Sequence, residues 1–508
     1  MQKYCFQTIL FSLFLLIGCD SSTNGISAGT MYSMYIAPVG RSVIIPCGAK
    51  AKGKNVVYQW YESHDDTIEG TVLPDATDST FETPVFTEKG IHYYYCTATS
   101  SGKTSFSDIS KVAYTALPTI YIDTPDGVEI TSKTEWTENA KISIVGAKEE
   151  SWNIQNIGTS IRGRGNSTWL KPKKPYALKF DEKQKIWGLP AHKHWVLIAN
   201  YLDNSFMRNE AAFYLSETFE MDWTVHGKFV DLVFNGKYQG LYWLGEAIKV
   251  NKNRVNINDG SANMTDDDDK DYLIEMDVYY DEVVKFKSGI RNMPYMIKND
   301  DYMIDEETNE ITSGGQARLE RLQTKINNLE ELLYPDFTVV SDTNDCSAPD
   351  ESYAEIIDID SWAKFWFVNE IMDNTELKHP KSAYFTFDSA NNLFKAGPVW
   401  DFDWASLYQH SACRLKKTIY YDALFKSPAF KARVAELWLE YSGGIDIESY
   451  IELLRNEISL AAQYDTMLWG EHNDPSEIKR ENFDAYVDFL KETIVKKISV
   501  VNDSITNL

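Results

Sequence analysis

Two aspartates in the C-terminal part of the chain have the spacing of a metal-binding pair. They occur in the segment Trp400-Asp401-Phe402-Asp403. Side chains two positions apart in an extended segment point to the same side, so Asp401 and Asp403 can act together. Carboxylate oxygens are ligands that Mg²⁺ and Mn²⁺ prefer, and such a pair suits a cation that bridges nucleotide phosphates. Burying these carboxylates among aromatic residues without a partner would be costly, which favours a bound cation over two solvated loop aspartates.

A glycine-rich segment earlier in the chain has the composition of a phosphate-binding loop. Its sequence is Arg162-Gly163-Arg164-Gly165-Asn166-Ser167. Glycines let backbone N–H groups approach a polyphosphate, and the arginine, amide and hydroxyl side chains complete the set of donors. The segment is not a Walker loop, because no Gly-Lys-Ser or Gly-Lys-Thr follows it.

The elements around these segments predict a mixed α and β region. Residues 176–180 alternate polar and apolar side chains as a half-buried strand does, and residues 195–199 form a continuous apolar strand. Lys179 lies near the end of the first strand, shortly after the glycine-rich segment, so it is a candidate for binding phosphate, with Lys173 and Lys174 as alternatives. We therefore predict that residues 117–508 form an α+β domain.

Other chemistries are less well supported. His192 and His194 have a metal-like spacing, but no third ligand is near them in the sequence, and a surface pair is the commoner arrangement. No serine elbow, His-Glu-x-x-His or Cys-x-x-Cys pattern occurs. The chain has 508 residues with 50 Lys and Arg against 75 Asp and Glu, a net charge of −25. Nucleic acid is therefore not an expected partner, because binding it requires a basic surface.

The N-terminus predicts export and a lipid anchor. Residues 6–17 form an apolar run that is too short for a transmembrane helix, which needs about 20 residues, but suits a signal peptide. The run ends at Leu16-Ile17-Gly18-Cys19, which resembles the lipobox of bacterial lipoproteins. That resemblance implies a signal peptide over 1–19, acylation of Cys19 and a polar tether over 20–30. It places the protein in the bacterial cell envelope, anchored to a membrane.

Residues 31–116 read as short strands, and their features together resemble an immunoglobulin-like sandwich. Trp60 lies thirteen positions after Cys47, and Tyr94 lies two positions before Cys96. The resemblance implies an all-β domain in which a Cys47–Cys96 disulfide joins the two sheets and Trp60 packs against it. It names no ligand, and a spacer that lifts the next domain off the membrane is favoured over a binding module.

Several segments of the second region resemble the CotH family of atypical protein kinases, named for a spore-coat protein. They follow the family's order and span residues 161–169, 173–180, 195–209 and 397–404, with Asn235-Gly236, Gly240-Leu241-Tyr242 and Glu246 between them. The resemblance covers roughly residues 117–440 and implies an atypical-kinase-like fold that uses ATP with Mg²⁺ or Mn²⁺. It implies that Asp401 and Asp403 bind the metal. The nucleotide-binding residues that it implies are Arg162, Arg164, Asn166, Ser167, Lys179 and Glu246.

The catalytic base is where this chain departs from the family. Many members carry Asn-x-Asp before the metal motif, and the matching residues here are Asn374, Thr375 and Glu376. The resemblance implies that Asn374 helps to hold the metal and that Glu376 stands at the base position, with Asp373 as the nearest alternative. A glutamate places its carboxylate about one methylene further out, and a misplacement of about 1 Å can cost on the order of a hundredfold in rate. We therefore expect weak or lost activity.

Two functions of different classes follow from these observations. The first is an exported, lipid-anchored CotH-like kinase that transfers the γ-phosphoryl group of ATP to a Ser or Thr hydroxyl of a protein, or to a glycan hydroxyl. The second is a non-catalytic surface module whose kinase-like cleft and immunoglobulin-like domain bind protein or carbohydrate. Asp401, Asp403 and Lys179 favour the kinase, whereas Glu376 favours the binding module.

Overall fold

The computed structural model describes residues 31–51, 55–258, 270–337, 346–408, 411–471 and 478–508. The chain divides into two units, Met1–Ala116 and Leu117–Leu508. The predicted signal peptide, the tether and Cys19 lie outside the described residues. Within the described ranges, no helix combines the length and the apolar character that crossing a bilayer requires.

The first unit is built from β-strands. They are β1 (Met34–Ile36), β2 (Ile44–Pro46), β3 (Val57–Ser63), β4 (Gly70–Val72), β5 (Thr80–Glu82), β6 (Gly90–Ser100), β7 (Lys103–Phe106) and β8 (Ser110–Tyr114). One sheet has the order β1-β8-β6-β3-β4, with β7 also paired to β6, and β2 pairs with β5 in another sheet. Trp60, Tyr94 and Cys96 are at most 1% exposed and form the centre of this unit's core.

The disulfide implied by the sequence is not present in the structure. Cys47 and Cys96 are both free thiols. Their side chains meet as a hydrogen-bonded pair rather than at the S–S bond length of about 2.05 Å. Trp60 belongs to the same buried cluster, so the expected neighbours are together without the covalent bond. Cys346 and Cys413, whose pairing the sequence leaves open, are free as well.

The second unit begins with strands that close into a barrel. They are β9 (Thr119–Asp123), β10 (Thr137–Val145), β11 (Ile154–Gly163), β12 (Tyr176–Gln184), β13 (His192–Ile198), β14 (Gly227–Phe234) and β15 (Lys237–Glu246). Their order around the barrel is β10-β11-β12-β13-β15-β14-β9. Ile161, Leu178 and Trp195 are fully buried in the barrel's apolar core. Lys179, one position after Leu178, is exposed, because side chains of a strand alternate between the two faces.

A second sheet and the helices complete this unit. The strands are β16 (Tyr272–Met276), β17 (Lys285–Lys287), β18 (Pro294–Ile297), β19 (Ala383–Asp388) and β20 (Leu393–Ala396), in the order β17-β18-β16-β19-β20. The helices are α1 (Arg208–Thr218), α2 (Ser313–Leu333), α3 (Ile359–Ile371), α4 (Tyr421–Leu424), α5 (Pro428–Tyr441), α6 (Ile447–Trp469) and α7 (Phe483–Thr506). The sheet and helices share one apolar core. The coarse prediction, a β-rich first unit followed by an α+β domain, is confirmed.

Candidate active site

The segment after β20 carries the two aspartates of the predicted metal motif. Asp401 has a φ of 68°, in the left-handed region that non-glycine residues seldom adopt. Phe402, between the two aspartates, is fully buried. Its backbone N–H donates to the side-chain oxygen of Asn209 at 2.8 Å. Because Asn209 lies in the first turn of α1, that helix holds the metal motif in place.

A second asparagine extends this support. The side-chain N–H of Asn209 donates to the side-chain oxygen of Asn200 at 3.0 Å, and Asn200 donates in turn to the carbonyl of Phe206 at 3.1 Å. Both asparagines are almost completely buried. A buried amide with satisfied partners is rigid, since breaking either bond would leave a polar group without a partner. The two asparagines therefore connect the β13–α1 segment to the metal motif.

A narrow pocket opens at the metal motif. It is lined by Arg164, Thr168, Pro175, Ile198, Ala199, Asn200, Tyr201, Asn209, Trp400, Asp401 and Asp403. The guanidinium group of Arg164 lies over the ring of Trp400, 5.1 Å from its centroid. Burial lowers the pKa of Arg164, and the charges of Asp401 and Asp403 oppose that shift. The structure therefore brings one arginine of the glycine-rich segment to both aspartates of the metal motif.

Acidic side chains crowd this pocket. Burial raises the pKa of Asp403 well above its usual value, and repulsion from Asp401 raises it further. Glu376 is only 9% exposed, and its pKa is raised to about 8, first by burial and second by the charge of Asp401. Lys381 donates to Glu376 at 3.4 Å and partly offsets this shift. Two buried carboxyl groups thus lie close enough to Asp401 for its charge to disfavour their ionisation.

Glu376 lies in a short 3₁₀ helix, Thr375–Lys378, that follows Asn374. The side-chain oxygen of Asn374 accepts from the backbone N–H of Glu376 at 3.2 Å. The side-chain N–H of Asn374 donates to the side-chain oxygen of Asn369 at 3.0 Å. Thr375 donates to the carbonyl of Ala405 through its N–H at 2.9 Å and through its hydroxyl at 2.8 Å. These bonds tie the segment that carries Glu376 to the one that follows the metal motif. They also show that the amide of Asn374 shapes this loop.

Asp373, the alternative base, belongs to a separate network. Both of its carboxylate oxygens accept from the guanidinium group of Arg414, one of them at 2.8 Å. Lys497 of α7 lies 3.5 Å from the same carboxylate and 2.7 Å from Glu370. The φ of Asp373 is 48°, so the chain leaves the helical path at this residue. Asp373 and Glu376 therefore do not lie on one continuous helix, and the contacts of Asp373 are with Arg414 and Lys497; its role as the alternative base stays a prediction.

Three of the predicted nucleotide-binding residues make local contacts in the glycine-rich segment and its surroundings. Arg162 donates to the carbonyl of Lys133 at 2.7 Å and lies over the ring of Trp136, 4.7 Å from its centroid. The side-chain oxygen of Asn166 accepts from the Lys133 side chain. Ser167 precedes a short 3₁₀ helix, Thr168–Leu170, without capping it. The described contacts place Arg164, and not these three residues, beside the metal motif.

The three lysines predicted as candidates for phosphate binding have different surroundings. Lys179 is exposed on the barrel surface, opposite His194 of β13 in the strand register. Lys173 is fully buried and forms an ion pair of 2.6 Å with Asp465 of α6. Lys174 donates to the carbonyl of Trp169 at 2.7 Å. None of these lysines lines the pocket.

Glu246, the remaining predicted nucleotide-binding residue, is held between two basic side chains. It accepts from Arg254 at 3.1 Å and lies 3.2 Å from the ring of His226. Its side chain is 2% exposed, and that of Arg254 is 1% exposed. Glu246 therefore stabilises the end of β15 through a buried ion pair with Arg254 and a partly exposed contact with His226.

Comparison of the chain with models of known protein families finds a match over the region that contains these motifs. A family model described as CotH kinase protein matches residues 161–501, which is more than half of the chain. The chain belongs to the CotH family. No curated protein matches the CotH chain described here. The matched region starts at β11 and includes the glycine-rich segment, Glu376 and both aspartates of the metal motif, so the family resemblance drawn from these motifs is confirmed.

The two aspartates of the metal motif supply only part of the ligands that a metal ion needs. Within its described ranges, no group of three His, Cys, Asp or Glu side chains is arranged to hold a metal ion. Mg²⁺ at nucleotide sites is commonly bound by one or two carboxylates, with waters and substrate phosphates as the other ligands. Asp401 and Asp403 fit that donor set, because they line one pocket with Arg164, an arginine suited to phosphate oxygens.

Several residues of the CotH pocket were missed at the sequence level. Asn200 and Asn209 lie in a segment recognised for its family resemblance, but nothing nearby in the sequence indicates that they support a motif 193 positions away. Glu275 and Tyr384 of the second sheet interact electrostatically with Arg164. These two residues lie in apolar strands, and a single polar residue in such a strand is a weak signal of a site.

Proposed function

We propose that the CotH domain binds ATP with Mg²⁺ or Mn²⁺ and transfers its γ-phosphoryl group to a hydroxyl group. The observation that carries this proposal is that Arg164, Asp401 and Asp403 line one pocket, with Glu376 close enough to interact electrostatically with both aspartates. Burial and repulsion raise the pKa values of Asp403 and Glu376, so the pocket would gain from a divalent cation. The family match supports the same class of chemistry.

The residues of the pocket have distinct tasks in this proposal. Asp401 and Asp403 hold the cation, which, when bound, neutralises charge on the phosphates. Arg164 donates its guanidinium N–H groups to phosphate oxygens, and the ring of Trp400 fixes the plane of the guanidinium group. Asn209 keeps the backbone between the two aspartates in place through its bond to Phe402.

Glu376 acts as the base in this proposal. A base must come within about 2.6–3.2 Å of the acceptor oxygen, directly or through one water, and must be ionised to accept the proton. With a pKa of about 8, the Glu376 carboxyl is mostly protonated at neutral pH. Neutralising Asp401 would remove the second largest cause of that shift. We therefore propose slow transfer that depends on full occupation of the metal site.

The chain as a whole is proposed to be an exported lipoprotein of the bacterial cell envelope. The lipobox-like segment that ends at Cys19 supports acylation and membrane anchoring. Buried Trp60 and Tyr94 support an immunoglobulin-like spacer over 31–116. The barrel, second sheet and helices beyond it are proposed to form an atypical-kinase-like fold. Its acceptor is a Ser or Thr hydroxyl of a protein or a glycan hydroxyl, since a net charge of −25 does not suit nucleic acid.

A non-catalytic binding module is the second candidate, and one observation favours it. Glu376 is longer than the family's aspartate and is buried, with Lys381 as a hydrogen-bond partner. In this case the kinase-like cleft and the immunoglobulin-like domain would bind protein or carbohydrate without phosphoryl transfer.

A transfer assay tests the proposed function. The full-length chain is incubated with γ-labelled ATP, Mn²⁺ and casein as a generic acceptor. We expect label on casein, and no label above background with Asp401→Ala. Asp488→Ala on the surface of α7 is the matched control and should label as the unchanged chain does. Label that is equal for Asp401→Ala and the unchanged chain would overturn the site assignment. No label from any chain would favour the binding module.

A further inference from the structure

One face of the second sheet carries polar side chains. Residues of neighbouring strands that lie opposite each other point to the same face, as do residues two positions apart in one strand. The register places Tyr384 and Met296 opposite Glu275. Lys298 follows two positions after Met296 and extends the same face. Ile274, adjacent to Glu275, points the other way into the apolar core. We call Glu275, Tyr384 and Lys298 the polar sheet face.

Two carboxylates hold Lys298. Its Nζ lies 2.9 Å from the carboxylate of Glu275 and also contacts Glu282. Burial acts to lower the pKa of Lys298, but the negative charges of Glu275 and Glu282 outweigh burial and raise the pKa above its usual value. The lysine side chain is 24% exposed. Lys298 is thus a fixed cation that keeps part of its surface available to a ligand.

The polar sheet face borders the pocket of the metal motif. The charge of Arg164 interacts with Glu275 and Tyr384 as well as with Asp401 and Asp403. Glu275 is therefore close to both Arg164 and Lys298, and it hydrogen-bonds to Tyr384. Charges of alternating sign follow one another from the metal motif through Arg164 and Glu275 to Lys298. Such a row can contact a polyphosphate at more than one of its phosphate groups.

We propose that Lys298, and not Lys179, is the lysine that binds the nucleotide phosphates, and that Glu275 orients it. This inference rests on the proposed function, since it requires ATP at the pocket of the metal motif. Lys179 is exposed on the barrel surface, and Lys173 is fully buried with Asp465. Lysine binds phosphate as a point charge with three donors, and Glu275 limits the directions in which the ammonium group can point.

Titration of the full-length chain with ATP and Mn²⁺ is the first test. Lys298→Met should weaken ATP binding at least tenfold, as expected for loss of a hydrogen bond between two charged groups. Lys298→Arg should retain part of the affinity, and Lys179→Met is the matched control with unchanged affinity. Equal affinities of Lys298→Met and the unchanged chain, together with loss of binding in Asp401→Ala, would overturn this inference alone. Absence of ATP binding by the unchanged chain would overturn the proposed function with it.

Chemical labelling tests the inference without a substitution at Lys298. An acyl phosphate of ATP transfers its acyl group to the amine of a lysine close to the phosphates and releases ATP. Mass spectrometry of the unchanged, full-length chain should find the acyl group on Lys298, and excess ATP should prevent the labelling. ATP-protected labelling of Lys179, with none on Lys298, would overturn the inference. This result does not depend on how well a Lys298 variant folds.

Discussion

Phe402 donates its backbone N–H to the side chain of Asn209 at 2.8 Å, which joins the metal motif to helix α1 across 193 positions of the chain. Asn209 also donates to Asn200 at 3.0 Å, so a single buried amide serves two partners. The conformation of Asp401, with its φ of 68°, depends on such support, because a free chain rarely adopts it.

Asn209→Ala should destabilise the protein and weaken the metal site. The substitution leaves the Phe402 N–H and the Asn200 side chain without their buried partner, which costs about 1–3 kcal/mol in the free energy of unfolding. Urea denaturation measures this change. The control is Asn507→Ala at the exposed C-terminus, which we expect to stay within about 0.5 kcal/mol of the unchanged chain. Equal effects of both substitutions would argue against the role of Asn209.

Lys497→Met should lower the free energy of unfolding of the domain more than a substitution elsewhere on the same helix does. Lys497 and Glu370 are both fully buried, and Asp373 lies 3.5 Å from the lysine. Removing one partner of a buried ion pair costs about 3–5 kcal/mol, because the remaining charge stays buried. Lys491→Met is the matched control in α7. Its partner Glu452 is 40% exposed, so we expect a loss of about 0–1 kcal/mol. Similar losses in the free energy of unfolding for both variants would contradict the role of Lys497 in a buried ion-pair network.

His226 should titrate well above the usual range of histidine. The protonated ring donates hydrogen bonds to the carboxylates of Glu217 and Glu246, which raises its pKa from 6.5 to about 9. Because the pKa of His226 is raised in the folded state, its contacts with Glu217 and Glu246 contribute fully to stability below about pH 6.5. That contribution is lost as the pH rises through about 9. NMR titration of the ring protons measures this pKa. His226→Gln should remove the corresponding decrease in stability between pH 6.5 and 9, and a ring that titrates near 6.5 would contradict the geometry.

Glu376→Asp should raise the rate of phosphoryl transfer, and Glu376→Gln should remove transfer while keeping ATP binding. The aspartate restores the length of the family's base, and the gain can reach about a hundredfold if reach limits the rate. The glutamine has nearly the shape of glutamate but cannot accept the proton. Label transfer to casein measures the rates. Transfer by Glu376→Gln at the rate of the unchanged chain would show that Glu376 is not the base.

Local patterns in the sequence predicted part of this molecule well. Alternation in residues 176–180 predicted β12. Asp401 and Asp403 do line one pocket, but the φ of 68° at Asp401 shows that their segment is not extended, so alternation along a strand is not the reason. The alternation in residues 176–180 also explains why Lys179 is exposed. Leu178 faces the barrel core, so its neighbour must face outward.

Contacts between residues far apart in the sequence could not be predicted from local patterns. Glu275 and Lys298 meet because β16 and β18 pair with a particular register, which apolar strands do not reveal. Asp373 has a backbone φ of 48°, which ends the helical path at that residue. Asp373 and Glu376 therefore do not lie on one regular helix, as an argument from helical spacing would require. The pairing of Cys47 with Cys96 was implied by the resemblance to an immunoglobulin-like sandwich, but that resemblance does not determine whether a covalent bond forms.

Calorimetric titration of the full-length chain with ATP tests the central assignment most directly. It is performed with Mn²⁺, with EDTA in its place, and with Asp401→Ala in Mn²⁺. Asp401 lines the pocket with Arg164 and Asp403, so we predict saturable binding of one ATP per chain that is lost both with EDTA and in Asp401→Ala. Binding of the same affinity in all three titrations would contradict a metal-dependent nucleotide site at Asp401.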